Sequence, residues 1–408
     1  MEPRHGSMQA TPENAACRRF LRCYYLTEFW YDFVFAYAIY TVYFSLRGLT
    51  VFDISLLLSW WAFAAMALEV PTGALADSWS RRKMLAVAPL IKSLCFATWF
   101  LAGGRFWLFA LGFLLWALGS SFVSGTSEAL LYDTLAHYGK REQYEKALGK
   151  REFYFHIALA ISTITGGLIA AYDLDLAILL SVIPLLLSAA FAWLIQEMPR
   201  AKSTEEIHYL SHIRLALREM KTNRILLYLI VYLLGVTIFA DLEEFDQLYY
   251  RLAGLPIAAF GVASFAGSAL SGLAARLGYK MKERHFVMYA LPVGSAALLV
   301  LVSRHPSILA IGLLLVSYAV TVPARVLAES RIQHSITGVS RATLTSGTVL
   351  VRNAFGVVIP VIFGLISRVW NLQAIYLSGA IVLLAASAWA FGVRNRIAVR
   401  TAEASTQG

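Results

Sequence analysis

The sequence predicts an all-α membrane protein: twelve transmembrane helices in two six-helix bundles, with both termini cytosolic. Three observations carry that prediction: the abundance of apolar residues, their arrangement in long runs, and the sidedness of the basic residues. The 408 residues are 59% hydrophobic and 15% charged, against ~45–50% and ~25% in ordinary soluble domains. Twelve runs are each long enough to cross a bilayer, which takes roughly 20 residues. They fall near 24–46, 54–76, 84–103, 106–135, 151–171, 176–196, 224–246, 256–277, 286–303, 308–334, 343–367 and 372–392, and are called spans one to twelve. Spans four and ten are longer than a bilayer requires and are expected to project into the cytosol.

Charge sets the orientation. With the N-terminus inside, 27 of the 35 Lys and Arg residues lie in tails and loops on that side, and five (Arg47, Arg105, Arg251, Arg304 and Arg368) on the other. Basic residues are retained on the cytoplasmic side, so the net charge of +10 is topological and calls for no nucleic-acid partner. Cys17, Cys23 and Cys95 show no metal-ligand spacing and are expected as free thiols. Span one is too long for a cleaved leader and is expected to stay as an anchor.

The longest internal loop divides the chain into six spans plus six, as in many transporters built from two related halves. The expected organisation is a tail 1–23, a bundle 24–196, a linker 197–223, a bundle 224–392 and a tail 393–408. In the linker, Ile207, Leu210, Ile213, Leu217 and Met220 recur at helical spacing, which predicts an amphipathic surface helix. His208 and His212 share one face, but no third ligand completes a metal site.

The stretch EVPTGALADSWSRRK, residues 69–83, closes span two and forms the short loop to span three. Gly73, Leu75, Asp77, Arg81 and Arg82 match the pattern Gly-x-Leu-x-Asp-basic-x-Gly-Arg-basic, with Ser78 and Ser80 departing from it. With twelve spans, matched halves and inside termini, the chain resembles the major facilitator superfamily over nearly its whole length. The resemblance implies that Gly73, Asp77, Arg81, Arg82 and Asp133 form a cytosolic gate. In it Asp77 reaches the start of span eleven across the halves, and Asp133 at the end of span four partners Arg81. The plainer reading of the three cations is that they only enforce topology. Small residues of span eight (Gly267, Ser268, Ser271, Gly272) are expected to face Gly166, Gly167 and Ala170 of span five.

Ionisable residues inside spans cost several kcal/mol and need a reason. Asp32 lies about 12 Å into span one at 1.5 Å per residue, with Glu28 one turn away on the same face. Asp32 and Glu28 are the candidate proton-coupling residues, because leaving water disfavours the charged carboxylate. The competing reading pairs Asp32 with a buried cation, Lys92 or Arg352, and removes it from titration. Arg325 and Glu329, at i and i+4 in span ten, are expected to pair. The family places spans one, four, seven and ten around the central cavity. The substrate-cavity candidates are therefore Tyr31, Glu128, Tyr132, Asp241, Glu244 and Arg325, with Arg352 added by its mid-depth charge.

The resemblance implies a secondary transporter working by alternating access, proton-coupled, moving a small organic solute. Its expected partners are that solute, protons and the bilayer. A bacterial inner membrane, a monomer and no cofactor are expected. Span five carries Gly166 and Gly167 but no proline, so the family's exporter signature is incomplete, and export is the lean on family frequency alone. The alternatives are proton-coupled uptake of a nutrient, amino acid or metal chelate and, from another class, a lipid flippase. No HExxH, GxSxG or phosphate-cradling loop points to an enzyme.

Overall fold

The computed structural model describes residues 12–198, 224–279, 286–334 and 341–406. Among the described residues every regular element is a helix, and ten helices are long and apolar enough to cross a membrane. These are spans two to six and eight to twelve. Spans one and seven are not among the ten, and each is interrupted by a 3-10 turn.

Span one consists of a helix Pro12–Asp32, a 3-10 turn Phe35–Ala38 and a second helix Tyr40–Leu46. Span seven consists of a helix Arg224–Leu242, a 3-10 turn Glu243–Phe245 and a second helix Asp246–Leu252. The two breaks occupy corresponding places in the two halves, and discontinuous spans so placed mark transporter binding sites.

Local chemistry sets some helix starts. Thr50 and Asp53 form a capping box at the start of Val51–Ser78: the Asp53 amide donates to Thr50 Oγ1 at 3.1 Å and the Thr50 amide to Asp53 Oδ2 at 2.9 Å. Ser80 caps Arg81–Leu101 by accepting from the Lys83 amide at 3.2 Å. Its φ of −70° is open to any residue, so serine in place of the pattern's glycine strains nothing. Gly125, at φ 70°, divides span four into Phe106–Val123 and Thr126–His137. The final helix runs Gln373–Thr406, past residue 392. The three cysteines are free. The linker helix expected around 207–220, with His208 and His212, lies outside the described residues.

The halves meet on the side opposite the termini, called here the far side. There span two packs on span eleven, span five on span eight, and the second helices of spans one and seven on each other. Small residues permit this approach. A Cβ on Gly364 would overlap the Ser55 side chain, and one on Gly261 the Thr163 carbonyl. A Cβ on Gly167 would sit 3.2 Å from the Ile257 and Ala258 carbonyls. The expected pairing of spans five and eight thus needs correcting. The spans run antiparallel, so the far end of span five meets the start of span eight; Gly267 faces Leu315, and Gly272 has open space around it.

Candidate functional site

The break in span one leaves backbone groups without helical partners. Side chains from three other spans satisfy them. The Ala36 amide donates to Ser181 Oγ at 3.0 Å, and Lys92 Nζ donates to the Tyr31 carbonyl at 3.3 Å. Gln247, from span seven, donates to the Tyr37 carbonyl at 2.8 Å and accepts from the Thr41 amide and hydroxyl, each at 3.0 Å. Gly166 makes room for the displaced chain, since a Cβ there would overlap the Phe35 carbonyl. Non-helical backbone at membrane depth persists only where protein satisfies it in this way.

Asp32 ends the first helix at this break. Lys92 Nζ lies 3.7 Å from Asp32 Oδ1; the lysine side chain is 1% exposed and the aspartate 21%. That separation is an ion pair without a direct hydrogen bond. Lys92 instead donates to Tyr37 Oη at 2.9 Å, and Tyr37 donates onward to Asp32 Oδ1 at 3.3 Å. The ammonium also sits 3.9 Å from the centre of the Tyr31 ring, a favourable cation–π distance. Tyr31 thus serves as a wall of the lysine site. The pairing of Asp32 with a buried cation, one of the two sequence readings, is what the geometry contains, and the cation is Lys92.

Glu28 is buried and accepts from Ser127 Oγ at 2.6 Å, while Tyr24 and Ser127 are bonded at 2.9 Å. Arg151 draws three carboxylates together, with its nitrogens 4.0 Å from Glu28, 3.2 Å from Glu128 and 2.5 Å from Glu152. Its position at the edge of span five makes it read as a loop cation in sequence, which is why it was not a candidate. Glu128 therefore faces Arg151. Tyr132, exposed on the same helix, packs edge-on against Tyr144 at 5.4 Å.

A cavity of about 700 Å³ lies between the halves. Five ionisable side chains face it: Glu69 of span two, Asp241 of span seven, Arg325 and Glu329 of span ten, and Arg352 of span eleven. Among the described residues none of the five forms a side-chain hydrogen bond or ion pair. The expected Arg325–Glu329 pair is thus not formed, although both residues line the same space. Ser120, Ser121, Ser124, Thr237 and Asn353 add neutral polar groups, and Trp61, Met66 and Phe355 give apolar wall. Of the sequence candidates, Asp241, Arg325 and Arg352 line the cavity. Tyr31, Glu128 and Tyr132 do not, and span one contributes no lining residue, because its mid-depth side chains are turned onto spans three, four and five.

Glu244 lies on the far side, where Tyr40 of span one donates to it across the halves. Its neighbour Asp246 is buried and accepts from Tyr318 at 2.7 Å and from Tyr376 at 3.0 Å.

The gate candidates gather within the first half. Arg81 is ion-paired with Asp133, and its amide donates to Glu197 Oε1 at 2.9 Å. Ser80 donates to the same Glu197 carboxylate. The Arg82 guanidinium lies 5.4 Å from the centre of the Trp193 ring. Glu197 and Trp193, at the end of span six, gave no sequence signal. The side chain of Asp77 lies outside the described residues. Gly73 is exposed, with nothing within 4 Å of a built Cβ, so no partner helix abuts it here.

A family model described as Major Facilitator Superfamily matches residues 23–351. No curated protein matches the sequence significantly. Solved structures of the same fold include a bacterial homologue of the human lysosomal transporter Spinster in an inward-facing, unoccupied conformation. It has a TM-score of 0.74 at 15% identity, covering 97% of this chain and 99% of that one. The nucleoside transporter NupG aligns with a TM-score of 0.72 at 13% identity, covering 92% of this chain and 98% of its own. A D-xylose–proton symporter aligns at 0.67 and 12% identity, covering 92% and 96%. At these identities the likeness is one of fold.

Proposed function

This chain belongs to the major facilitator superfamily and is a secondary transporter, not an enzyme; on that premise we propose that its central cavity takes a small polar or zwitterionic organic solute and that transport is coupled to protons. The observation that carries the reading is the set of five ionisable side chains facing one cavity, none of them hydrogen-bonded or ion-paired through its side chain among the described residues, with only Asp241 and Arg352 close enough to feel each other's charge. Charges at that depth are costly unless something compensates them. A solute with both an anionic and a cationic group would meet Arg325 and Arg352 on one side of its dipole and Asp241, Glu329 or Glu69 on the other. The hydroxyls and Asn353 supply orientation, as in other small-molecule sites.

Asp32 is the proposed coupling residue. It keeps partial exposure while Lys92 is sealed, so a proton reaches the carboxylate and not the ammonium. Lys92 also holds three neutral acceptors: the Tyr31 carbonyl, the Tyr37 hydroxyl and the Tyr31 ring. These keep its charge tolerable when Asp32 is neutral. The Tyr37 carbonyl at the same break is tied to Gln247 of the other half, so a change at Asp32 is felt where the halves touch. Glu28 stays a secondary candidate, because Arg151 already compensates it. With the termini side taken as the cytosol, from the 27-to-5 distribution of basic residues, the conformation is inward-facing.

The test uses inside-out vesicles with an acidic interior and a pH-reporting dye, challenged with amino acids, organic acids, chelates and lipophilic cations. A compound that makes the interior pH rise is exchanged for protons, and the direction is export. Labelled solute crossing with no proton movement would remove the coupling proposal. Asp32→Asn is expected to abolish proton-driven accumulation and leave solute exchange intact; accumulation by the variant would exclude Asp32.

A further inference from the structure

A second cavity of about 660 Å³ lies away from the centre, on the termini side, between the first helix of span one and the start of span five. Arg18 and Arg22 reach it from one helix, and Lys146 and Lys150 from the other. Each pair is spaced i, i+4, so both cations of a pair share a face. The two faces oppose each other. No acidic residue lines the cavity, and among the described residues none of the four cations is ion-paired. Lys150 lies 5.0 Å from the centre of the Tyr25 ring and 5.7 Å from that of Tyr154, so aromatic faces steer its stem.

The depth of these groups matters. Arg22 and Lys150 stand just before the apolar runs that begin near 24 and 151, at the expected membrane edge. Leu26 and Phe29 continue the same wall deeper. Arg22 to Phe29 spans about 10 Å at 1.5 Å per residue, enough to pass from a headgroup layer to the first part of an acyl chain. A soluble anion would use the cations and leave the apolar wall idle, whereas a lipid uses both.

We propose that this cavity binds an anionic phospholipid, its phosphate held between Arg18, Arg22, Lys146 and Lys150 and its acyl chain lying along Leu26 and Phe29. Basic pockets between helices at the cytoplasmic face recognise such headgroups. The site joins spans one and five, the two elements that also carry Asp32 and Arg151, so an occupied site would tie the start of span one to its own half.

The test is native mass spectrometry of the whole protein in micelles containing equal phosphatidylglycerol and phosphatidylcholine. Retention of phosphatidylglycerol is expected to exceed that of phosphatidylcholine, and Lys146→Gln/Lys150→Gln is expected to lower that preference roughly 25-fold, each cation contributing roughly fivefold. Both lysines are exposed, so the fold is expected to survive, checked by an unchanged melting temperature in phosphatidylcholine alone. Lys83→Gln/Arg141→Gln removes two cations on the same side outside the cavity and is expected to leave the preference in place. Equal retention of the two lipids would overturn the proposal, as would an equal loss in the second variant, which would mean general surface charge. Glycerol phosphate competing as well as the lipid would also overturn it, assigning the site to a soluble anion.

Discussion

The breaks in spans one and seven are the same device solved in two ways. Each interrupts a helix, and each places an aspartate beside the interruption. Asp32 answers to a lysine and keeps a partly exposed edge. Asp246 answers to two phenols, Tyr318 and Tyr376, and is sealed. The first arrangement separates a charge pair at the edge of water, which suits a group that changes its protonation. The second surrounds a carboxyl with fixed donors from spans ten and twelve, which suits a staple. Twofold architecture therefore does not imply twofold chemistry: the halves share a backbone plan and surround their aspartates differently.

Four substitutions break or sharpen that contrast. Lys92→Met should have the largest effect on stability, about 3 kcal/mol, because it leaves Asp32 without its cation in a mostly buried site. Thermal unfolding in detergent measures it, and Asp32→Asn/Lys92→Met should regain part of the loss. A double variant no better than the single would mean that the lysine acts through packing alone. Gln247→Leu should follow at about 2 kcal/mol, since it strands the Tyr37 carbonyl and the Thr41 amide. The same unfolding experiment reads it, and cysteine labelling from the far side should quicken.

Asp246→Asn keeps size and an acceptor for both phenols, so its cost should stay within about 1 kcal/mol, and proton-driven accumulation should persist. Should it abolish accumulation while Asp32→Asn does not, the roles assigned to the two halves are exchanged. Tyr376→Phe should be the mildest, about 0.5–1 kcal/mol, because Tyr318 still donates to Asp246; unfolding measurements and unaltered accumulation test it together.

Sequence periodicity was enough for the other ten spans, because each is a long apolar run. It was not enough for the break at 33–39, where the residues FVFAYAI contain neither glycine nor proline. That break is imposed from a distance: Ser181 and Gln247 lie 145 and 210 residues along the chain from the groups they satisfy, and Gly166 clears the space. Asp32 stood out by depth alone, and so did Lys92, but only packing decides which of two buried cations an acid meets. The cavity followed the same pattern. Asp241, Arg325 and Arg352 were legible as charges in apolar runs, whereas Glu69, two residues before Pro71 in span two, carries no site signal of its own. Tyr132 and Glu128 share a helix face in sequence, and Arg151 and Tyr144, from another helix, determine where that face points.

The Gln247 carboxamide has a kinetic consequence. One rigid planar group serves three partners across the halves, and its bonds share a single torsion. They cannot be surrendered in sequence, since rotating away from one misaligns the others. Opening of the far side should therefore resemble the release of a catch more than the sliding of a seam: one dominant barrier, single-exponential opening, and a steep dependence on temperature.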